Sequence, residues 1–422
     1  MWPSRRWARI VSGAMEPART RDRDGIGEVV TGVDGSTVDV EALRLERLAR
    51  LQAAMRGHDL GACLLFHEPN VRYATGATAM PVYSMSTFAR CAVVPQEGTP
   101  ILFEHANSAH RSALRAPIVR PMHAWEFYDD PGSQADAWAA ATVDALADLG
   151  VADDVVGVDR LGAPAYLALG RRGIEIRDAA PATQEARRVK TQQELLLLDV
   201  NATLVMEMLA AFEGAIAPGV SERELLAVLT DVMIRGGGEY LATTTVCGGP
   251  NTNPWRAEAT DRPLEGGDLV FVDTDTVGIE GMFFCVSRTF PVGSGEPSPA
   301  QREDYRAAFD WLEGMVAMIR PGVTCGELAE QAPPIPDRFL ARRYECMVHG
   351  IGLEEENPSV CHPLDPQPNP ETVIEPDMAL VVEIYAGAER AAHGIKLGDQ
   401  VVVTPDGGRV LCPYPFSDAL LA

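Results

Sequence analysis

Four short segments, far apart in the chain, carry the residue types of a single metal or acid–base site and constrain the fold more than any other feature. Asp273 and Asp275 lie within an apolar, strand-like run. His349 precedes Gly-Ile-Gly and three consecutive glutamates, Glu383 follows two valines and an apolar run, and Gly394 opens the segment Gly-Ile-Lys-Leu-Gly-Asp-Gln. Carboxylates and an imidazole form one site only if the fold brings these segments together. The pattern therefore predicts distant strands that converge on one acid–base or metal centre.

Composition is typical of a globular protein with two domains. The chain has 422 residues, which is long for a single core. Apolar residues make up 46% and charged residues 23%, and we expect no membrane span because no uninterrupted apolar run is long enough. The net charge of -24 argues against nucleic-acid or anionic-membrane partners. The eight cysteines are dispersed without a CxxC pair, which favours free thiols in a reducing cytosol and predicts a cytoplasmic protein.

Residue patterns divide the chain into three parts. Residues 1–38 are dominated by Gly, Asp, Arg and Thr without a persistent period, which predicts an irregular extension. Residues 39–183 alternate helical and strand-like patterns, which predicts an α/β domain. Residues 184–422 begin with two helices marked by capping boxes and continue with antiparallel-looking strands, so the predicted fold class is α+β.

Motifs in both halves of the chain carry a family resemblance. Those in the second half are Arg188-Val189-Lys190-Thr191, Asp273-x-Asp275, His349-Gly-x-Gly352, Val382-Glu383 and Gly394-Ile395-Lys396-Leu397-x-Asp399. Those in the first half are Arg47-Leu48 and Pro69-Asn70-Val71-Arg72-Tyr73-Ala74-Thr75-Gly76. In this order they resemble the creatinase/prolidase/methionine aminopeptidase superfamily of pita-bread proteins. The resemblance implies a creatinase-like N-terminal domain, a C-terminal pita-bread domain, a small-molecule substrate and a homodimer.

Within that superfamily, four segments are most similar to the pita-bread dimethylsulfoniopropionate (DMSP) lyases. They are Asn251-Thr252-Asn253-Pro254-Trp255, Phe271-Val272-Asp273-Thr274-Asp275, Val286-Ser287-Arg288-Thr289 and Lys396-Leu397-Gly398-Asp399-Gln400-Val401. In such lyases an aspartate that follows the metal-type histidine resembles the base that removes the proton α to the carboxylate. Glu355 holds that position here, so the resemblance implies Glu355 as the base.

The resemblance also implies a metal site from which two ligands are missing. The matching ligand positions are held by Asp273, Asp275, His349 and Glu383. The two bridging carboxylates fall at Cys285 and Gly398, and two metals about 3.5–4 Å apart need such bridging oxygens. Two explanations stay open. One is a metal-free site in which His349 and Glu383 form an acid–base couple, and the other is a single iron, zinc or manganese ion with Cys285 as a further ligand.

Two absences argue against a peptidase. Residues 248–255 lack the histidine that peptidases of this fold carry upstream of the first aspartate, and Glu356 stands where a second histidine usually follows. A cationic substrate such as a betaine would suit aromatic walls through cation–π contacts. The residues predicted to bind substrate are Trp255, Tyr83, Tyr385, Cys285 and His393, with Phe283 as a further aromatic candidate.

Structural roles explain some of the same residues equally well. Cys285 also suits a small buried hydrophobe, Trp255 a core position and His393 the surface. Three functions therefore stay open. The first is a hydrolase or lyase for a small zwitterionic or amino-acid-like carboxylate, the second a single-metal DMSP-type C–S lyase, and the third a non-catalytic protein that binds a ligand or partner. The catalytic residues predicted for the first are His349, Glu355, Glu383 and Asp275.

Overall fold

The computed structural model describes residues 29–31, 37–78, 87–127 and 129–422. These residues divide into two compact units, one of residues 38–187 and the other of residues 188–422, with short segments before residue 38. Most of the predicted N-terminal extension lies outside the described residues. Its described part holds two short strands, β1 (Val29–Thr31) and β2 (Thr37–Asp39).

The unit of residues 38–187 has the α/β organisation that its sequence predicts. Its helices are α1 (Val40–Gly57), α2 (Glu68–Thr75), α3 (Ala109–Ser112), α4 (Pro131–Asp148), α5 (Ala163–Gly170) and α6 (Ala180–Arg188). Its strands are β3 (Ala62–Leu65), β4 (Cys91–Pro95), β5 (Ile101–Glu104), β6 (Val119–Pro121), β7 (Val156–Val158) and β8 (Ile176–Asp178).

The six strands of this unit form one mixed sheet in the order β6-β5-β4-β3-β7-β8. Strands β3 and β7 run parallel, whereas β4 and β5 form an antiparallel hairpin. Phe66, Trp125 and Trp138 fill the core beside the sheet, with ring centroids 5.3–5.9 Å apart. Burial of these aromatic surfaces stabilises the unit.

The unit of residues 188–422 has the predicted α+β organisation. Its helices are α7 (Gln192–Ala215), α8 (Glu222–Arg235), α9 (Pro299–Met318), α10 (Cys325–Gln331) and α11 (Asp418–Leu421). Its first strands are β9 (Tyr240–Leu241), β10 (Val246–Gly248), β11 (Leu269–Asp273), β12 (Thr276–Val277), β13 (Phe283–Phe284) and β14 (Ser287–Pro291). Its last strands are β15 (Cys346–Ile351), β16 (Glu355–Cys361), β17 (Ala379–Ala386), β18 (Ile395–Thr404) and β19 (Gly407–Val410).

An eight-stranded antiparallel sheet dominates the second unit. Seven strands follow the order β10-β11-β14-β18-β17-β15-β16, and β19 pairs with β18. Most strands that are neighbours in this sheet are distant in sequence. The sheet therefore brings the four motif segments close together. A smaller sheet of β13, β12 and β9 lies at the end of β11, where the chain leaves the main sheet.

Helix α7 begins as the sequence predicts. The Thr191 side chain accepts from the backbone N–H of Glu194, and the Glu194 side chain accepts from the backbone N–H of Thr191, which completes a capping box. The helix is long and apolar enough to cross a membrane by length and composition alone. More than half of its most apolar window is buried, as in the core helix of a globular protein, and Leu204, Met208 and Phe212 are nearly inaccessible.

Candidate active site

Strand register assembles the centre of the site. Asp273 on β11 lies opposite Ser287 on β14, Ser287 lies opposite Gly398 on β18, and Gly398 lies opposite Glu383 on β17. Directly opposed residues of an antiparallel sheet project from the same face. Asp273 and Glu383 therefore face each other across a serine and a glycine, which are both too small to fill the space between them.

The side chain of Lys396 fills this space. Lys396 and Gly398 are two residues apart on β18 and so share a face of the sheet. The Lys396 ammonium forms an ion pair with Oε2 of Glu383 and lies 3.4 Å from Oδ2 of Asp273. Burial of the ammonium would lower its pKa, but the charges of Glu383 and then Asp273 outweigh that effect and raise the pKa well above its ordinary value. Lys396 is therefore a fully buried cation.

Two aromatic rings complete the surroundings of this ammonium. The Lys396 Nζ atom lies 4.0 Å from the ring centroid of Tyr344 and 4.8 Å from that of Trp255. Both distances are within the range of cation–π attraction. Of the aromatic residues predicted to hold a cationic substrate, Trp255 thus already faces a cation of the chain itself, and Tyr344 was not among those predicted.

His349 and Glu383 form the predicted imidazole–carboxylate couple. His349 Nε2 lies 3.6 Å from Glu383 Oε1, and its Nδ1–H donates to the Gly350 carbonyl at 2.9 Å. Burial would lower the pKa of His349, but the hydrogen bond and charge of Glu383 raise it to about 9. Burial would raise the pKa of Glu383, yet Lys396 and His349 hold it at about 2. At neutral pH the couple is an imidazolium beside a carboxylate.

Asp275 behaves differently from the other carboxylates. It follows the end of β11 in the left-handed region of the backbone, with φ 24°, and accepts a hydrogen bond from the Thr243 hydroxyl at 2.7 Å. Burial, followed by the negative charge of Asp273, raises the pKa of Asp275 to about 7. This carboxyl therefore exchanges a proton in the neutral range, as a general acid or base requires.

Cys285 is a buried thiol in this centre. It donates from Sγ to Asp273 Oδ1 at 3.3 Å, and the Ser287 hydroxyl donates to the same oxygen at 2.9 Å. Burial, then the charge of Asp273, raises the pKa of the Cys285 thiol well above its ordinary value. Cys285 is thus protonated, whereas both a metal ligand and a nucleophile would need the thiolate.

Asp273, Cys285 and Glu383 offer donor atoms within 4.8 Å of one another, so we tested this set against a divalent metal. Both carboxylates already face the Lys396 ammonium, which would repel a divalent ion. A Cβ atom at Gly398 would lie 3.1 Å from Ser287 Oγ and 3.2 Å from Glu383 Cβ, so a side chain there would require these neighbours to shift by a few tenths of an ångström. These residues, arranged as they are, do not fit a divalent metal.

The run of three glutamates divides between two environments. Glu355 is exposed at the start of β16, and its charge contributes to the raised pKa of His349. Glu356 is buried, where its Oε2 accepts from the Lys190 ammonium at 2.6 Å and its Oε1 accepts from the Leu353 N–H. Glu355 therefore acts on the pKa of His349 through its charge, whereas Glu356 pairs with a different lysine, Lys190.

The predicted substrate-binding residues do not all meet at this centre. Trp255 packs against Tyr344 and Tyr385, with ring centroids 5.4 and 6.0 Å away, and so borders the Lys396 ammonium. His393 instead pairs with Asp304 on α9, with Nε2 3.1 Å from a carboxylate oxygen. Tyr83 lies outside the described residues.

Lys396 is the main functional candidate that the sequence analysis missed. Lys396 belongs to the motif of residues 394–399 and stands two residues before Gly398, where the resemblance implies a missing carboxylate. On a strand that spacing places both residues on one face. A lysine on the same strand face as an expected metal ligand was the sequence signal that could have identified Lys396 as a site residue.

Comparisons with known proteins agree with this fold. Metallopeptidase family M24 matches residues 198–405, and the creatinase/prolidase N-terminal domain matches residues 47–189. Dimethylsulfoniopropionate lyase DddP of Roseovarius nubinhibens is 32% identical over 395 residues, which cover 91% of this chain and 88% of the relative. The DddP protein of Roseobacter denitrificans is 29% identical with the same coverage, 91% and 88%.

A solved structure shows the same fold. The Xaa-Pro dipeptidase from Bacillus anthracis aligns with a TM-score of 0.72 at 22% identity, over 89% of this chain and 99% of that one. A likeness at this identity concerns the fold alone. Together with the family match and the 32% identical relative, it shows that the chain belongs to the creatinase/prolidase/methionine aminopeptidase superfamily of pita-bread proteins.

Proposed function

We propose that the chain is an enzyme that acts on a small zwitterionic or amino-acid-like carboxylate by proton transfer, as a hydrolase or lyase, without a bound metal. The observation that carries the proposal is the buried couple of His349 and Glu383, with Nε2 and Oε1 3.6 Å apart. The Lys396 ammonium supplies the remaining positive charge that the two carboxylates need. Such a couple supports proton transfer without a Lewis acid.

His349 is the general acid in this proposal. Its imidazolium keeps its proton at neutral pH because Glu383 raises the pKa of His349 to about 9. Nε2 can release that proton to a leaving group, while the Gly350 carbonyl holds Nδ1 and fixes the ring. Glu383 acts by orienting the ring and balancing its charge.

The site offers two candidate bases. Asp275, with a pKa of about 7, is buried beside Asp273 and is half ionised near neutral pH. Glu355 is exposed and holds the position of the lyase base. The variants Asp275→Asn and Glu355→Gln, tested separately, assign the role to the residue whose loss abolishes turnover.

Two buried donors support a substrate with a carboxylate. The Gln400 Nε2 and Trp255 Nε1 atoms are buried and have no hydrogen-bond partner. A buried unpaired donor costs stability unless a ligand satisfies it. Both atoms suit an anionic oxygen and neither can ligate a metal, so we expect Gln400→Met to raise KM with little change in kcat.

The alternative is a single-metal lyase that acts on DMSP. The 32% identity to a DMSP lyase favours it, as does the Asp273–Cys285–Glu383 set. It requires the Lys396 ammonium to leave the two carboxylates, and iron, zinc or manganese to replace it. A cytoplasmic location and a homodimer are proposals that come with both functions.

The test is a substrate screen on chelator-treated protein with DMSP, creatine-like, ectoine-like and betaine-like compounds. We expect turnover of one class that chelation does not reduce and that His349→Gln abolishes. Activity lost on chelation and restored by iron, zinc or manganese would favour the single-metal lyase. Ligand binding without turnover across the screen would favour the non-catalytic function.

A further inference from the structure

A buried lysine occupies the position of a cation among three potential metal ligands. The Lys396 ammonium lies between Glu383 Oε2 and Asp273 Oδ2. One donor atom from each of Asp273, Cys285 and Glu383 lies within 4.8 Å of the other two. Metal–oxygen and metal–sulfur bonds of about 2.0–2.3 Å would place ligand atoms at comparable separations. The three side chains therefore lie at separations close to those of a coordination sphere, and the ammonium pairs with two of them.

We propose that the Lys396 ammonium substitutes for the metal ion of this metallopeptidase fold, and that its removal turns Asp273, Cys285 and Glu383 into a site for a soft or borderline divalent cation. This inference rests on the metal-free site of the proposed function. It adds a role for Lys396, which acts by position and charge and does not contact the reacting atoms. Zinc, cobalt and cadmium are the cations that a thiolate with two carboxylates would take.

The surroundings of Lys396 hold the ammonium in place. Its side chain is entirely buried, and its charge lies 4.0 Å from the Tyr344 ring centroid and 4.8 Å from that of Trp255. Withdrawal would leave Asp273 and Glu383 as buried anions without their shared counter-ion, which is strongly unfavourable. A divalent ion must therefore compete with a cation that the chain itself supplies at high effective concentration.

The same surroundings explain why Cys285 does not act as a ligand in the wild type. Its Sγ donates to Asp273, and the side-chain Oε1 of Gln400 accepts from its backbone N–H at 3.2 Å. Without the lysine, Asp273 and Glu383 would attract a cation. That cation would favour the thiolate form, because a coordinated thiol loses its proton.

The experiment compares cobalt and cadmium binding to the wild type and to Lys396→Met, which keeps the length of the side chain and removes its charge. We expect no stoichiometric metal in the wild type, and about one equivalent per chain in the variant with at least about 100-fold tighter binding. The variant should show a cobalt–thiolate charge-transfer band, and cadmium should raise its melting temperature but not that of the wild type. Adding Cys285→Ser to Lys396→Met should remove the band.

Lys190→Met is the matched control, because Lys190 is also buried and pairs with a carboxylate, that of Glu356. It should leave metal binding as weak as in the wild type. One tight metal per chain in the wild type, lost in Glu383→Gln, would overturn the proposal. Metal binding by the wild type can be measured even if Lys396→Met does not fold. A folded Lys396→Met that binds no metal would also overturn the proposal. Neither measurement depends on turnover, so a failed substrate screen is a separate result.

Discussion

Each of the two units contains a buried cation between two carboxylates, and the two clusters differ in what surrounds them. In the first unit, Arg90 pairs with Glu68 and Glu104. In the second unit, Lys396 pairs with Glu383 and Asp273. All these groups are buried or nearly so, so burial and ion pairing alone do not separate a structural cluster from a catalytic one.

The Arg90 cluster is a closed hydrogen-bond network. The guanidinium donates to Glu68 at 3.0 Å, to Glu104 at 2.8 Å and to the Thr78 carbonyl at 2.8 Å. The Ser112 hydroxyl adds a hydrogen bond to Glu104 at 2.6 Å. A planar guanidinium with fixed donors suits such a network, which holds strands and a helix together.

The Lys396 cluster adds groups that exchange protons. Glu383 faces His349, whose pKa is raised to about 9, and Asp273 lies beside Asp275, whose pKa is raised to about 7. Neighbouring groups with pKa values moved in this way are typical of catalytic sites. The comparison teaches that such neighbours, more than the ion pair itself, distinguish the cluster that we propose to be catalytic.

The largest expected effect is on activity, from His349→Gln. We expect kcat/KM to fall by about 100- to 10,000-fold, because the proposed general acid is lost. Steady-state kinetics with the substrate found in the screen measure it. His58→Gln is the control, since His58 also pairs with a glutamate, Glu185 at 2.8 Å, but is partly exposed. Equal kinetics for both variants would contradict the assignment of His349.

Removal of Arg90 tests the structural cluster. Arg90→Met should lower the free energy of unfolding by about 3–5 kcal/mol, because two buried carboxylates lose their counter-ion. Denaturant unfolding measures this. Arg223→Met, which breaks the exposed ion pair with Asp261, should cost less than about 1 kcal/mol. A change in the pH dependence of kcat in folded Arg90→Met would break the distinction between the clusters.

The pH dependence of stability tests the His349–Glu383 couple. The folded-state pKa of His349 is raised to about 9, so its stabilising contribution is full below about pH 6.5 and is lost as the pH rises through about 9. The contribution is at most about 3 kcal/mol. Unfolding free energies of the wild type and His349→Gln should differ most at low pH and converge above pH 9. A difference that is constant with pH would show that the imidazole is not charged by Glu383.

The smallest expected effect comes from Thr243→Val. The Thr243 hydroxyl donates to Asp275 Oδ2 at 2.7 Å and favours the ionised carboxylate, so its loss should raise the pKa of Asp275. A hydrogen bond of about 1 kcal/mol would move the acidic limb of the pH–rate profile up by less than about one unit. Thr230→Val, whose hydroxyl donates to a helix carbonyl, should leave the profile unchanged. An unchanged profile for Thr243→Val would favour Glu355 as the base.

Sequence alone determined the fold family and predicted which metal ligands the site lacks. Ordered motifs such as His349-Gly-x-Gly352 and Asp273-x-Asp275 identify the superfamily, because each motif requires its strand at a fixed place in the sheet. Capping boxes such as Thr191 with Glu194 fix a helix start locally, without help from distant residues. The residues Cys285 and Gly398 likewise led, from the sequence and the family resemblance, to the prediction that two carboxylate ligands are absent.

Tertiary structure decided what replaces those ligands. Whether Lys396 reaches Glu383 and Asp273 depends on the register of four strands, β11, β14, β18 and β17, which no local pattern encodes. Tertiary structure also decided that Glu355 is exposed whereas Glu356 pairs with Lys190, and that His393 pairs with Asp304. The protonation states of Asp275 and His349 also depend on the fold. Their pKa values are set by burial and by neighbouring charges, and both arise only when distant strands come together.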